Sequence, residues 1–108
     1  MKKLTVNEEI FLVAIFRLRD DAYGVKIREM IKELTGETLL FGTIYNTLEY
    51  LLRKNYVISR KGESSPKRGG NRKVYYTLTD EGMVALNRAR ELKNRLWEGI
   101  PEVVIKTD

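Results

Sequence analysis

Near the start of the chain, polar residues with helix-capping spacing are followed by an unbroken apolar run. Thr5 and Glu8 have the spacing of a capping box, and residues 10–16 are all apolar. The pattern predicts a helix over residues 6–18 that is apolar on every side and is therefore buried on more than one face. A domain of this size has few helices to cover both faces, so a second subunit is expected to cover one of them. A buried strand is the alternative, because the run contains several β-branched residues.

The next two segments predict a second helix and a short strand. After a turn at residues 20–24, apolar positions recur at helical spacing up to Leu34, and Gly36 has the position of a C-terminal cap. Residues 39–41 are too few for a helix of their own. We expect them to pair as an edge strand with a hairpin further along the chain.

A third helix, over residues 42–54, has one apolar and one polar face. At about 100° per residue, the apolar face is made of four aliphatic residues: Ile44, Leu48, Leu51 and Leu52. The opposite face is mostly polar and carries Thr43, Asn46, Glu49, Tyr50 and Arg53, with Tyr45 and Thr47 at its flanks. This face is either an ordinary solvated surface or a surface that binds a polar ligand.

Two strands joined by a cationic turn follow the third helix. Residues 56–61 and 72–78 have strand-like patterns, and the second strand directs Val74, Tyr76 and Leu78 to one face. Six cationic side chains lie on and between the strands: Arg60, Lys61, Lys67, Arg68, Arg72 and Lys73. Because such dense positive charge repels itself, an external polyanion explains it better than the protein's own core does. A solvated charged loop is the alternative.

A last helix follows Thr79 and runs to about residue 98. Asp80 and Glu81 come directly after this capping threonine and suit the positive end of the helix dipole. Small and apolar residues recur at spacings that pair helices: Ala85, Ala89, Leu92 and Leu96. Pro101 stops further helix, and the tail at residues 103–105 is expected to be frayed or to pair as an edge strand.

The composition narrows the classes of function by exclusion. The 108 residues are enough for a single core, and they contain neither cysteine nor histidine. Cys or His nucleophiles and zinc sites of the Cys/His type are therefore excluded, and the 15 acidic residues form no evident catalytic or metal-binding pair. The chain has no recognisable signal peptide or membrane span. A cytoplasmic protein that is not an enzyme and needs no cofactor is expected.

The net charge of +5 and the pI near 9.5 favour an anionic partner. A helix followed by a charged hairpin is the order of elements in a winged helix-turn-helix domain, whose second motif helix meets the edges of DNA bases. The sequence therefore predicts a mainly α fold with a small β-hairpin wing (α+β). Double-stranded DNA is the expected partner.

The candidate DNA-binding residues lie on the third helix and the hairpin. Asn46 has the side chain best suited to a bidentate contact with adenine, and Gly42 would let a phosphate approach the helix N-terminus. The full set is Gly42, Thr43, Tyr45, Asn46, Thr47, Tyr50, Lys67, Arg68, Arg72 and Lys73. The four hairpin cations are expected to bind phosphates or the minor groove without reading much sequence.

The order and spacing of these residues resemble the PadR family of winged-helix transcriptional regulators. The resemblance covers residues 8–90 and rests on Tyr23-Gly24, Gly36, Gly42-Thr43-Ile44-Tyr45, Leu48, Leu51, Arg68-Gly69-Gly70, Arg72-Lys73, Tyr75-Tyr76, Leu78-Thr79 and Gly82. The family often has Ser or Thr and then Pro before the Gly-Thr pair, where this chain has Leu40-Phe41. The C-terminal region is short, as in the compact subgroup.

The resemblance implies a homodimer that binds a pseudo-palindromic operator, usually as a repressor. Residues 6–18 and 80–98, the first and last helices, would form the dimer interface. Residues 1–78 would then be the DNA-binding domain, and residues 79–108 the dimerisation helix with its short tail.

Other interpretations stay open at this point. Because some relatives respond to an aromatic effector, Trp97 and Lys93 are candidates for binding one here, and packing at the dimer interface is the alternative for Trp97. The winged helix is alternatively a protein–protein module whose wing docks an acidic partner. RNA binding is less favoured, because Tyr75 is the only candidate aromatic platform on the sheet surface.

Overall fold

The computed structural model describes residues 3–63 and 72–102. In that part of the chain the helices are α1 (Val6–Leu18), α2 (Gly24–Thr35), α3 (Phe41–Arg53) and α4 (Asp80–Trp97), and the strands are β1 (Val57–Lys61) and β2 (Val74–Leu78). A 3-10 turn, Arg19–Asp21, leads from α1 towards α2. The fold is mainly helical with one antiparallel hairpin, as predicted. The predicted tail at residues 103–105 lies outside the described residues.

The ends of three helices are fixed by the residues that the sequence predicts. At α1 the Thr5 hydroxyl accepts from the Glu8 amide (3.1 Å), and the Glu8 carboxylate accepts from the Thr5 amide (2.7 Å), which completes a capping box. At α4 the Thr79 hydroxyl accepts from the Gly82 amide (3.0 Å). The C-terminal cap of α2 is Gly36 in the left-handed conformation. These three predictions are confirmed.

The core lies where α1, α2, α3 and the hairpin meet. Its members are mostly aliphatic: Phe11, Leu12, Ala14, Ile15, Ala22, Ile27, Ile31, Ile44, Leu48, Leu51, Val57 and Tyr76. The apolar run of α1 supplies four of them, and α1 is a helix rather than the alternative buried strand. At the end of the same run, Phe16 is 56% exposed. The chain therefore covers one side of α1 and leaves part of the other side open.

The two strands form an antiparallel pair whose apolar residues share one face, as alternation along the second strand predicts. Val57 lies opposite Leu78, and Ser59 lies opposite Tyr76. Tyr76 is the buried residue of β2, and its neighbours Val74 and Leu78 pack beside it against the core. The apolar face of the hairpin thereby fixes the hairpin against the helices.

The segment that meets the other edge of β2 is not the one predicted. The prediction of an edge strand at residues 39–41 is wrong, because α3 already begins at the last of these residues. The residues just before α2 take that place, since the Ala22 carbonyl accepts from the Tyr76 amide (2.9 Å). The Leu39 carbonyl, which strand pairing would use, accepts instead from the Arg28 side chain (2.6 Å).

Two further observations bear on the class of protein. Within residues 3–63 and 72–102, no helix combines the length and the apolar character that crossing a bilayer requires. Those residues also contain no group of three or more acidic side chains placed to hold a metal ion.

Candidate nucleic-acid interface

α3 buries one face completely and leaves the opposite face open. Ile44, Leu48 and Leu51 on the inner face are 0% exposed. Four residues of the outer face are exposed: Thr43, Asn46, Glu49 and Arg53. The predicted contacts Thr47 and Tyr50 are half-buried at its sides. Because the inner residues recur every three or four positions, they fix the rotation of the helix, and the polar face projects outward as one surface.

Gly42, in the first turn of α3, has open space around it. No atom beyond its local backbone lies within 4 Å of the position that a Cβ would occupy. Packing does not therefore require a glycine at this position. The open surroundings leave the N-terminal end of α3 accessible from outside the protein.

Tyr45, at the flank of the outer face of α3, also packs against α2. Its side chain is 47% exposed, yet a Cβ on Gly24 would lie only 2.4 Å from its hydroxyl oxygen and 2.8 Å from Cζ. Since a methyl group and the phenol ring cannot occupy the same space, any side chain at position 24 would displace the Tyr45 ring from this contact. Tyr45 therefore packs α3 against the first turn of α2 as well as presenting an aromatic edge to the surface.

The phenol of Tyr76 lies beneath this part of α3. Burial raises the pKa of the Tyr76 hydroxyl above its ordinary value, and Tyr45 and Glu49 raise that pKa further. A tyrosine hydroxyl is already neutral at physiological pH at its ordinary pKa, and the raised pKa extends this neutral range to higher pH. Tyr76 joins the hairpin to α3 without adding charge below the polar surface.

Stacked aromatic and cationic side chains form the base of the hairpin. The rings of Tyr23 and Tyr75 meet edge to face with centroids 5.5 Å apart. Lys73 Nζ lies 4.3 Å from the Tyr23 ring centroid, and Arg60 Cζ lies 4.5 Å from that of Tyr75. Arg60 also donates to the Asp20 carbonyl (3.3 Å). The stacking restrains two cations where β2 meets the start of α2.

The predicted hairpin cations are only partly within the described structure. Arg72 is exposed just before β2, and Lys73 is the half-buried cation stacked on Tyr23. Lys67 and Arg68 lie outside the described residues. The arrangement of the complete cationic set therefore stays a prediction.

The structure brings residues beside α3 that sequence reasoning did not select for DNA binding. A shallow groove of about 370 Å³ separates the start of α1 from the outer face of α3, and it is lined by Thr5, Asn7, Glu8, Asn46, Thr47 and Tyr50. Thr5 was predicted only as a helix cap. No local sequence signal relates it to Asn46, because the two residues meet only through the packing of α1 on the rest of the fold.

The two residues predicted to bind an effector face different surroundings. Lys93 forms an ion pair with Glu9 on α1 and lines a groove of about 430 Å³ between α1 and α4. Trp97 is 60% exposed and is not among the described residues that line this groove. The two residues lie one turn apart on α4, and a shared effector site stays a prediction.

The fold and the outward α3 define a winged helix-turn-helix protein: α2 and α3 form the motif, and β1 and β2 form the wing. The family model described as the transcriptional regulator PadR-like family matches residues 12–88, and the chain belongs to that family. It is a transcriptional regulator of this DNA-binding family and not an enzyme. Among curated proteins, none matches this sequence.

Several solved structures have the same fold. A PadR family transcription regulator from Clostridium difficile R20291 is 32% identical, with 86% of this chain and 88% of that chain covered and a TM-score of 0.61. A PadR-like transcriptional regulator from Bacillus cereus ATCC 14579 is 20% identical, with coverages of 88% and 87% and a TM-score of 0.70. RosR from H. salinarum is 24% identical, with coverages of 93% and 83% and a TM-score of 0.69. The latter two likenesses concern the fold alone.

Proposed function

We propose that this protein is a homodimeric repressor that binds a pseudo-palindromic operator through α3 in the major groove. The observation that carries the proposal is the outward polar face of α3, held in place by the three fully buried residues Ile44, Leu48 and Leu51. A polar face with fixed rotation is what reading base edges requires, because each hydrogen bond needs a defined direction.

Within that face, Asn46 is the proposed base-reading residue. Its exposed amide offers one donor and one acceptor, which match N7 and N6 of adenine. Thr43 precedes it by about one turn and offers a hydroxyl and a methyl group. Tyr45 and Tyr50 are proposed to share in sequence recognition from the sides of the helix, and Thr47 to contact the sugar-phosphate backbone.

The cations of the hairpin are proposed to bind phosphates. Arg72 and Lys73 come directly before β2, and Lys67 and Arg68 precede them in the sequence. Each neutralised phosphate releases counterions, so these residues strengthen binding to every duplex and make it salt-dependent. They would place the protein on the duplex while α3 selects the site.

The proposed dimer is formed by α1 and α4. Phe16 on α1 and Leu96 on α4 expose more than half of their apolar surface, and grooves of about 430 and 370 Å³ flank the contact between these helices. Burial of such surface by a second copy is favourable. A dimer would place two copies of α3 about one helical turn, roughly 34 Å, apart on DNA.

An aromatic effector is proposed to bind beside the last turns of α4. Trp97 is an exposed ring on the helix assigned to the dimer, and Lys93 lies one turn before it. In the dimer, the Trp97 ring would either pack against the second copy or form one wall of an effector site.

DNA binding is tested by fluorescence anisotropy with the DNA upstream of the protein's own gene and with random duplex of equal length. The proposal predicts a preference for the upstream DNA of at least a hundredfold at physiological salt. Equal affinity for the two duplexes would contradict it. In that case the winged helix as a protein–protein module becomes the better account.

A further inference from the structure

Unlike α1 and α4, α3 has no side chain at its N-cap position that hydrogen-bonds to its first turn. Leu40 occupies its N-cap position with extended backbone angles (φ −70°, ψ 147°), and no side chain caps the helix there. The first helical hydrogen bond runs from the Ile44 amide to the Leu40 carbonyl (3.1 Å). A side-chain cap is one way to fix the first turn of a helix, and a contact from a neighbouring element is another.

Arg28 on α2 contacts the chain on both sides of that N-cap. Its Nε donates to the Leu39 carbonyl (2.6 Å), and its Cζ lies 4.3 Å from the centroid of the Phe41 ring. The Phe41 ring in turn stacks on Tyr45, with centroids 6.3 Å apart and planes inclined by 22°. Arg28, Phe41 and Tyr45 thus form a continuous stack, here called the Arg28 stack, from α2 across the first turn of α3.

We propose that Arg28 is a positioning residue for DNA recognition, which holds the leading end of α3 through the Leu39 carbonyl and the Phe41 ring. The proposal rests on the proposed function, in which that end of α3 meets base edges. The turn is restrained from the side of α2, so no capping side chain is needed on the surface that would face DNA.

The chemistry of the contact requires an arginine. The planar guanidinium donates a charge-assisted hydrogen bond from Nε while its face lies on an aromatic ring. A lysine has the same charge, but its ammonium group cannot make both contacts in this geometry. Arg28→Lys therefore separates the role of the contact geometry from the role of charge.

Amide hydrogen exchange of the free protein tests whether the Arg28 stack holds the first turn of α3. In Arg28→Ala and in Arg28→Lys, we expect the amides of Ile44, Tyr45 and Asn46 to exchange about tenfold faster, since neither side chain can hold both the Leu39 carbonyl and the Phe41 ring. The matched control is Lys26→Ala on the same helix, because within residues 3–63 and 72–102 Lys26 makes only a long ion pair with Glu29 (4.0 Å). Unchanged exchange in all three variants would overturn the proposal.

Rescue by an ordinary cap keeps the test specific. Leu40 already has the extended backbone of an N-cap residue, so Leu40→Ser places a hydroxyl where it can accept from the first turn. In the Arg28→Ala background, Leu40→Ser should slow the exchange of these amides about fivefold. Failure to slow it would mean that Arg28 does not act on this turn.

DNA binding supplies the functional readout. Arg28→Ala and Arg28→Lys should weaken binding to a selected operator about tenfold, leave random duplex within about twofold, and preserve the salt dependence. Arg28→Ala with Leu40→Ser should recover the lost preference. The proposal would be overturned if Arg28→Ala weakened binding to both duplexes equally and reduced the salt slope by about one, while Arg28→Lys restored both. That result would make Arg28 a phosphate contact.

A wild-type protein without any preference for the operator would contradict the proposed function. Hydrogen exchange would still decide whether the Arg28 stack holds the first turn of α3.

Discussion

The helices α1 and α3 both have 13 residues, but their surfaces are unlike. α1 is apolar over most of its circumference, and Phe16 stays exposed although Phe11 five residues earlier is completely buried. α3 is divided into a buried aliphatic face and an open polar face. Even their beginnings differ, because a capping box opens α1 and no side chain caps α3.

The difference indicates two kinds of partner. Apolar surface left open on α1 gains free energy from burial against protein, whereas the polar face of α3 gains from directional hydrogen bonds to a polar ligand. A second copy of the chain suits the first surface, and the major groove of DNA suits the second. The next four predictions test this assignment, starting with the largest expected effect.

Two phenylalanines on α1 separate folding from assembly. Phe11→Ala removes a fully buried ring and should lower the free energy of unfolding by about 3–5 kcal/mol. Phe16→Ala removes a ring that is 56% exposed and should lower it by about 1 kcal/mol. Urea denaturation at one fixed protein concentration measures both values.

Phe16→Ala should also weaken self-association about tenfold or more, which sedimentation velocity over a range of concentrations measures. Leu52→Ala, at a half-buried leucine of α3 outside both dimer helices, is the matched control. Unchanged self-association in Phe16→Ala would remove the open side of α1 from the dimer interface.

Asn46→Ala tests the polar face of α3. The exposed amide contributes little to folding, so the thermal midpoint should stay within a few degrees of wild type. The affinity for a selected operator should fall by about 1–3 kcal/mol, with the preference relaxed at one base pair of each half-site. Binding selections on randomised duplexes show which base pair. An identical loss on random duplex would mean that Asn46 does not read sequence.

Substitutions at the N-caps of α1 and α3 should have the next smaller effect on the free energy of unfolding. Thr5→Ala removes the capping hydroxyl of α1 and should lower the free energy of unfolding by about 1 kcal/mol. Leu40 is the N-cap residue of α3, where its side chain makes no capping hydrogen bond. Leu40→Ala should therefore change the free energy of unfolding by less than about 0.5 kcal/mol. Equal losses in urea denaturation would contradict the distinction between the two beginnings.

Arg72→Ala tests the hairpin and has the smallest effect. The slope of log affinity against log salt should decrease by about one on specific and random duplex alike. Lys32→Ala, which removes one positive charge from the last turn of α2, is the control and should leave the slope unchanged. A loss of preference between duplexes in Arg72→Ala would assign sequence reading to the hairpin.

The parts of the fold that sequence predicts well depend on local signals. The capping box at Thr5, the glycine cap at Gly36 and the threonine cap at Thr79 each act within a few residues, and each lies where predicted. The two faces of α3 were predictable for the same reason, since helical periodicity alone sorts Leu48 from Asn46.

The parts that were missed depend on contacts between distant residues. Residues 39–41 were expected to pair as a strand, because nothing near them indicates that Arg28 takes the Leu39 carbonyl. The packing of Tyr45 over Gly24 likewise becomes visible only when α2 and α3 are placed together. Periodicity specifies which face of a helix is buried, but not which neighbour covers it or holds its end.

The central claim is that the outward face of α3 reads DNA in the major groove as one half of a dimer. Methylation interference on a selected operator tests it most directly, because methyl groups on guanine N7 and adenine N3 probe the major and minor grooves separately. The account predicts interference at N7 in two half-sites whose centres lie about one helical turn, roughly 34 Å, apart. Interference at adenine N3 alone, or at a single site without a symmetric partner, would contradict it.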